Sequence, residues 1–211
     1  MQPTLKPNHW WNSLFGDING VIRFLIVSDI VFQGACGLFG PLFALYISSY
    51  ITDTDPIVAT GIAAAIYLIV KSVAQIPAAW LIDKIRGERD DFMVLFFGTL
   101  LASITPLAYL YIDSAYELYF VQALYGLITA VTFPSYLAIF TRHIDHGKEG
   151  TEWGVYYTLI DISTAATAAI GGSIAAIYGF YGLIWISVAL SVLGALLLIP
   201  IRPYLAKGNS R

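Results

Sequence analysis

The sequence predicts an all-α integral membrane protein with six transmembrane helices. Hydrophobic residues make up 58% of the 211 residues and charged residues only 12%, whereas a soluble domain carries about 25% charged residues. Six apolar runs are long enough to cross a hydrocarbon core of about 30 Å, which takes about 20 helical residues. Most of the charged residues lie in the short connections between those runs. This composition excludes a soluble globular domain.

The predicted transmembrane domain covers residues 21–200 and is flanked by two cytoplasmic segments. Residues 1–20 are expected to form a tail or an interfacial segment, in which Trp10 and Trp11 can lie at the level of the lipid headgroups. Residues 201–211 are expected to form a second tail. The six predicted spans are residues 21–49, 57–82, 92–112, 116–140, 154–178 and 182–200.

Basic residues segregate to one side of this six-span arrangement. The three connections on the other side carry no Lys or Arg. By the positive-inside rule, both termini are therefore predicted to be cytoplasmic. The basic residues on this side are Lys6, Arg23, Lys84, Arg86, Arg89, Arg142, Lys148, Arg202, Lys207 and Arg211.

Polar side chains at helical spacing distinguish four of the spans. The first span carries Asp29 and Gln33, the second carries Lys71 and Gln75, and the fifth carries Asp161. The third and sixth spans have no ionisable residue in their middles. Polar stripes on apolar helices face protein or water, so spans one, two, four and five are predicted to line an interior. The stripe on the fourth span consists of Gln122, Tyr125, Thr129, Thr132 and Tyr136.

Three of these ionisable residues are predicted to share a layer within the membrane. At 1.5 Å per residue, Asp29 and Asp161 lie about 12 Å, and Lys71 about 17 Å, from the cytoplasmic side. Each charge costs about 2.5 to 3.5 kcal/mol on insertion scales, so partners or water are expected. Either aspartate could bind a proton or cation, and Lys71 could contact an anionic substrate. The alternative is a static ion pair between Lys71 and an aspartate that fixes helix register.

Small residues at four-residue spacing predict close helix packing in the second and fifth spans. Gly61 and Ala65 follow this pattern in the second span, and Gly171, Ala175 and Gly179 follow it in the fifth. Such spacing lets two helix backbones approach each other closely.

The connection between the second and third spans resembles the signature loop of the major facilitator superfamily, GxxxDRxGRR. Asp83 matches the aspartate of the motif, Lys84 the basic residue after it, Gly87 the turn glycine and Arg89 a trailing basic residue, while Ala79 replaces the first glycine. The QALYG segment at residues 122–126 is similar to the RxxQG motif of the fourth span.

The resemblance implies one half of a twelve-span carrier, built from two inverted three-helix repeats. In the family, spans one and four line the central cavity and spans two and five contact the other half. The chain is therefore expected to act as a half-size secondary transporter that forms a homodimer through spans two and five, with the partner docking on their small-residue faces, which include Gly171. Asp83 would face the start of the partner's fifth span. The expected location is the plasma membrane of a bacterium or archaeon, and the solute could be coupled to protons or another ion.

Two alternatives to the homodimeric transporter stay open. The chain could be an isolated half or subunit of a twelve-span carrier, or a membrane scaffold or assembly protein that does not transport. An enzyme is not expected, because no GxSxG, HExxH or phosphate-binding glycine loop is present. His143, Asp145 and His146 carry ligand types that suit zinc, but so few ligands on one loop do not predict a metal site. No cofactor or nucleic acid is expected. The expected cavity, rich in aromatic and hydroxyl groups, would suit sugars, small amphiphiles and drugs equally as substrates. Lys71 favours an anionic substrate.

Overall fold

A computed structural model describes residues 18–85 and 87–205, and the described chain contains six α-helices and no strand. The predictions for Trp10 and Trp11, and for Arg86, Lys207 and the other residues outside these ranges, are not addressed by the structure. The α-helices are α1 (Gly20–Phe39), α2 (Phe43–Tyr50), α3 (Pro56–Lys84), α4 (Glu88–Ile104), α5 (Ala115–His143) and α6 (Glu149–Leu196). Short 3-10 helices at Gly40–Leu42, Thr105–Leu110 and Ile199–Tyr204 join or extend them.

Side-chain caps fix where three of these helices begin. The Asn19 side chain accepts a hydrogen bond from the Val21 backbone at 3.0 Å at the start of α1. Asp55 accepts from the Ile57 and Val58 backbones at 2.9 and 3.0 Å, and Pro56 is the first residue of α3. These caps satisfy backbone donors that have no partner inside the helix. The α5 helix is capped in the same way by Ser114.

Helix α6 is interrupted at Gly179, where φ is 70° and ψ is 179°. Its first part, residues 149–178, runs parallel to α1. The Ser163 hydroxyl donates to the Ile30 carbonyl at 2.9 Å, and further along both helices Gly171 lies against the Leu38 carbonyl. Only glycine adopts this backbone conformation at little cost, so Gly179 marks the break.

The second part of α6, residues 180–196, runs back along α1 in the opposite direction. The Ser187 hydroxyl donates to the Ala35 carbonyl at 2.7 Å, and the Ser28 hydroxyl donates to the Gly194 carbonyl at 2.7 Å. The later residue of α6 thus pairs with the earlier residue of α1. Helix α6 is therefore a helical hairpin rather than one straight rod.

Two hydrophobic clusters form the core, one at each end of the helical bundle. The cluster containing Ile22, Leu25, Ile139 and Phe140 lies beside the basic connections, and we call this side the basic end. The other cluster lies beside Asp53, Asp55, Asp113 and Glu117, and we call this side the acidic end. Its core residues include Leu38, Tyr46, Leu118 and Leu183.

Five helical segments have the length and composition of membrane spans: Gly20–Tyr50, Pro56–Lys84, Glu88–Leu110, Ala115–His143 and Glu149–Tyr204. The predicted all-α, multi-pass membrane architecture is confirmed at this level. Helix α3 is the least covered, because only 11% of its most apolar stretch is buried, against 33% to 44% in the other four. One face of α3 is therefore left without a partner within the described chain.

Candidate functional site

A polar cavity of about 140 Å³ lies between α1, α3, α4, α5 and α6. Polar side chains predicted from three separate stripes, on α1, α3 and α5, are brought together here. Four further wall residues were not predicted from the sequence: Tyr67, Thr99, Phe133 and Tyr156. The predicted residues in its wall are Asp29, Gln33, Lys71, Tyr125, Thr129, Thr132 and Tyr136.

Asp29 is held by a tyrosine and not by a cation. The Tyr156 hydroxyl donates to Asp29 Oδ2 at 2.6 Å. Asp29 makes no ion pair within residues 18–85 and 87–205, and its other oxygen is not hydrogen-bonded to them. This oxygen is therefore a candidate acceptor for a ligand.

Lys71 lies over two aromatic rings. Its Nζ is 5.2 Å from the centre of the Phe133 ring and 5.7 Å from the centre of the Tyr67 ring. Contacts of this kind contribute about 0.5 to 2 kcal/mol, which is less than the cost of placing the charge in a membrane. Lys71 forms no ion pair with the described residues, so the static ion pair with an aspartate is not formed there.

The hydroxyl stripe on α5 is hydrogen-bonded along its own helix. Thr129 donates to the Tyr125 carbonyl at 2.9 Å, and Thr132 donates to the Ile128 carbonyl at 2.7 Å. These bonds fix the hydroxyl protons and leave oxygen lone pairs that can accept hydrogen bonds in the cavity.

A larger aromatic cavity of about 280 Å³ adjoins the polar cavity on the side of the acidic end. Gln122 lies in its wall, and its amide donates to the Tyr109 hydroxyl at 3.0 Å. The aromatic rings that line it come from Phe32, Phe39, Phe43, Tyr67, Tyr109 and Tyr125. The two cavities share Phe32, Tyr67, Ala102 and Tyr125 as wall residues.

Two of the predicted pathway residues line neither cavity. Gln75 is half-buried on α3, and Asp161 is exposed on the first part of α6. Asp161 nevertheless lies at the level of Asp29, because Tyr156 and Ser163 on either side of it contact Asp29 and Ile30. Asp161 is exposed and does not line the cavity that contains Asp29 and Lys71, so the shared layer of the three charges stays a prediction.

The signature loop leaves Asp83, Lys84 and Arg89 exposed. Lys84 Nζ lies 4.8 Å from the centre of the Trp80 ring, and Gly87 immediately precedes α4. The buried carboxylate of this region is Asp91, which is 2% exposed and bonded to the Arg142 guanidinium at the end of α5.

This ion pair was not predicted from the sequence, because the partners are 51 positions apart on different helices. An acidic residue in the first turn of one helix and a basic residue in the last turn of the next was the only available signal.

The small residues divide between two roles. Gly61 and Ala65 are exposed on α3, whereas Gly171 is buried against the backbone of Leu38. Ala175 is half-buried and Gly179 forms the break in α6. The expectation that Gly171 docks a partner is therefore corrected, because α1 of the same chain occupies that position.

The exposed small residues of α6 lie one position further along the chain. Gly172 and Ala176 are exposed, as are Ala165 and Ala169 two turns earlier. This spacing forms a small-residue face on the outside of the helix.

Some residues of the polar cavity carried weak sequence signals. Tyr67 precedes Lys71 by one helical turn, so its ring was predictable as a neighbour. Nothing in the sequence connects Tyr156 with Asp29, 127 positions away. Within the described residues, no group of three His, Cys, Asp or Glu side chains is placed to hold a metal ion.

Comparison with known proteins identifies the family. A comparison with curated proteins returned no match. The model of the Major Facilitator Superfamily matches residues 25–211, which include every residue that lines the two cavities. The resemblance to the family is thus confirmed by a match over most of the sequence, and the chain belongs to the Major Facilitator Superfamily.

Proposed function

We propose that this chain is a six-span unit of a secondary transporter that moves a small solute by alternating access. The observation that carries the proposal is the polar cavity, where Asp29 and Lys71 line one space between membrane helices without forming an ion pair. Ionisable groups inside a membrane are costly and mark substrate or ion pathways. Membership of a family of transporters supports the same function.

The proposed topology has six crossings, with both ends of the six-span unit on one side. The hairpin at Gly179 supplies two of them, since a straight helix of 48 residues would extend about 72 Å. That length is more than twice the hydrocarbon thickness. The basic end carries Arg142 and Lys148 beside the starts of α1 and α6, so we assign it to the cytoplasm.

The proposed partner is a second copy, which would complete the twelve-span arrangement. The exposed faces of α3 and of the first part of α6 carry Gly61, Ala65, Gly172 and Ala176, which permit close helix contact. Asp161 is exposed in the middle of the same α6 face. A carboxylate at that depth is poorly tolerated against lipid, so it favours a second protein unit or a water-filled cavity at this face.

The two alternatives differ from this proposal in what completes the unit. A partner that is a different six-span unit, on the same or another chain, would use the same faces of α3 and α6. Fully paired charges in the cavity would favour a scaffold that does not transport. Lys71 forms no ion pair with the described residues.

Thiol accessibility tests alternating access without knowledge of the solute. In a Cys36→Ser background, Thr129→Cys is expected to react with a membrane-impermeant maleimide in both right-side-out and inside-out vesicles, because the cavity opens to each side in turn. The matched control, Ala130→Cys, is buried on the adjacent position of α5 and should react from neither side. Modification of Thr129→Cys from only one side would contradict alternating access.

Disulfide formation between differently tagged copies tests the homodimer. Val73 is 71% exposed on α3 and Ile162 is 61% exposed on α6, and each lies about 17 to 20 Å from the basic end of its helix. Co-expressed Val73→Cys and Ile162→Cys chains, each with Cys36→Ser, are expected to form a covalent dimer on oxidation. Phe97→Cys, exposed on α4, replaces Val73→Cys in the control and should form none. Equal cross-linking in both pairs would contradict a specific interface.

A further inference from the structure

We propose, on the basis of the transport function proposed above, that the joined cavities bind a zwitterionic amino acid with an aromatic side chain. The ring would occupy the aromatic cavity. The ammonium and carboxylate groups would contact Asp29 and Lys71. Neither the family match nor the fold assigns a substrate to this site.

The placement of the two charges suits a zwitterion. Asp29 and Lys71 line the same polar cavity from α1 and α3, but the structure shows no ion pair between them. Opposite charges held apart in one cavity suit a ligand that carries both charges. A ligand with a single charge would leave either the carboxylate or the ammonium group without compensation in a site of low dielectric constant.

The aromatic cavity has a wall suited to a ring. Two of its polar side chains are engaged within the protein: Gln122 donates to Tyr109, and Ser187 donates to the Ala35 carbonyl. Six of its wall residues carry aromatic rings, and rings prefer offset or edge-to-face contact with one another. The volume of about 280 Å³ exceeds the roughly 150 Å³ of an apolar cavity that admits benzene. The volume is therefore sufficient for one aromatic ring.

The two cavities are continuous along three helices. On α1, Asp29 lines the polar cavity, Phe32 lines both and Cys36 lines the aromatic cavity. Asp29 and Cys36 are two helical turns apart, or about 10 Å, a span that an aromatic amino acid can bridge. Tyr67 and Tyr125, stacked at 5.5 Å between ring centres, form part of the junction. The charged and aromatic parts of the site are thus arranged in the order in which they occur in the ligand.

A ligand series tests each part of this assignment. Binding is measured by isothermal titration calorimetry on the full chain in lipid nanodiscs, with L-phenylalanine as the probe. The comparators are phenethylamine, which lacks the carboxylate, 3-phenylpropanoate, which lacks the ammonium group, and L-alanine, which lacks the ring. We expect L-phenylalanine to bind about tenfold or more tightly than each of them, because each comparator loses one charged or aromatic contact.

Two variants assign the charged contacts by comparison within each variant, so a loss of overall stability does not obscure the result. Lys71→Met should remove the preference for L-phenylalanine over phenethylamine and retain the preference over 3-phenylpropanoate. Asp29→Asn should do the reverse. L-Alanine binding as tightly as L-phenylalanine would overturn placement of the ring, and unchanged preferences in both variants would overturn placement of the charges.

The result is separable from the transport proposal. Absence of L-phenylalanine binding by a chain whose Thr129→Cys variant reacts from both sides would overturn the ligand assignment alone. Binding of L-phenylalanine by a chain whose Thr129→Cys variant reacts from one side would support the ligand assignment and contradict alternating access.

Discussion

Gly171→Ala is expected to destabilise the protein by about 1 to 3 kcal/mol, although alanine is the better helix former. A Cβ atom at this position would lie 2.4 Å from the Leu38 carbonyl oxygen and 3.2 Å from the carbonyl carbon. These are backbone atoms of α1, so the overlap cannot be relieved by rotation of a side chain. The two helices must move apart, and the loss is measured as a lower melting temperature in detergent or nanodiscs.

The adjacent glycine provides a matched control. Gly172 is in the same helix, is exposed and has nothing within 4 Å of a Cβ atom. Measured on the monomeric chain in detergent, where no second copy covers this face, Gly172→Ala is therefore expected to leave the melting temperature unchanged or to raise it, since glycine costs about 1 kcal/mol relative to alanine in a helix. Equal effects at the two positions would contradict the close approach of α1 and α6 at Gly171.

The contrast between these neighbours shows what the sequence could not predict. Four-residue spacing indicates that small residues share a helix face, and the pattern holds equally for the series that contains Gly171 and for the series that contains Gly172. Which face contacts α1 depends on the rotation of α6 in the bundle. That rotation is set by contacts such as Ser163 with Ile30, between residues 133 positions apart.

Helical periodicity did identify polar residues that line one cavity. Gln33 and Thr129 were predicted from separate stripes, and both line the polar cavity with Asp29 and Lys71. A stripe predicts its own helix face, because side chains separated by one turn project in the same direction. The depth of Asp161 along its helix did not predict whether it lines the cavity, because Asp161 lies at the level of Asp29 but on an exposed face.

Local chemistry explains the differences in the helix bounds. Prolines interrupt regular α-helix at Gly40–Leu42 and at Thr105–Leu110, where the chain continues as 3-10 helix. Pro77 and Pro134 instead lie within α3 and α5. The sequence identified apolar length correctly, but it does not distinguish a proline that ends an α-helix from one that the surrounding bundle accommodates.

The second large effect is expected at the basic end, where Arg142→Met removes the partner of Asp91. The Asp91 side chain is 2% exposed, whereas Arg142 is 39% exposed and reaches it from the last turn of α5. Loss of the guanidinium leaves a buried carboxylate without its counter-ion, which costs about 3 to 5 kcal/mol. The measurement is the apparent free energy of unfolding in mixed micelles titrated with sodium dodecyl sulfate.

An ion pair with a more exposed carboxylate provides the comparison for this loss. Lys148 Nζ lies 3.3 Å from Asp145 Oδ2, and the two side chains are 41% and 37% exposed. Lys148→Met is expected to cost less than about 1 kcal/mol, because water reaches the Asp145 carboxylate that it leaves behind. The difference between the two variants therefore measures the effect of burial rather than the effect of removing a cation.

A double variant then separates the ion pair from the helix terminus. Asp91 lies in the first turn of α4, where the backbone amides also favour a negative charge. If the guanidinium is the main partner, adding Asp91→Asn to Arg142→Met should recover most of the lost stability, because no uncompensated charge remains. If Arg142→Met costs no more than Lys148→Met, the helix terminus stabilises Asp91 without the arginine. The Asp91–Arg142 pair would then not be what holds α4 to α5 beside the signature loop.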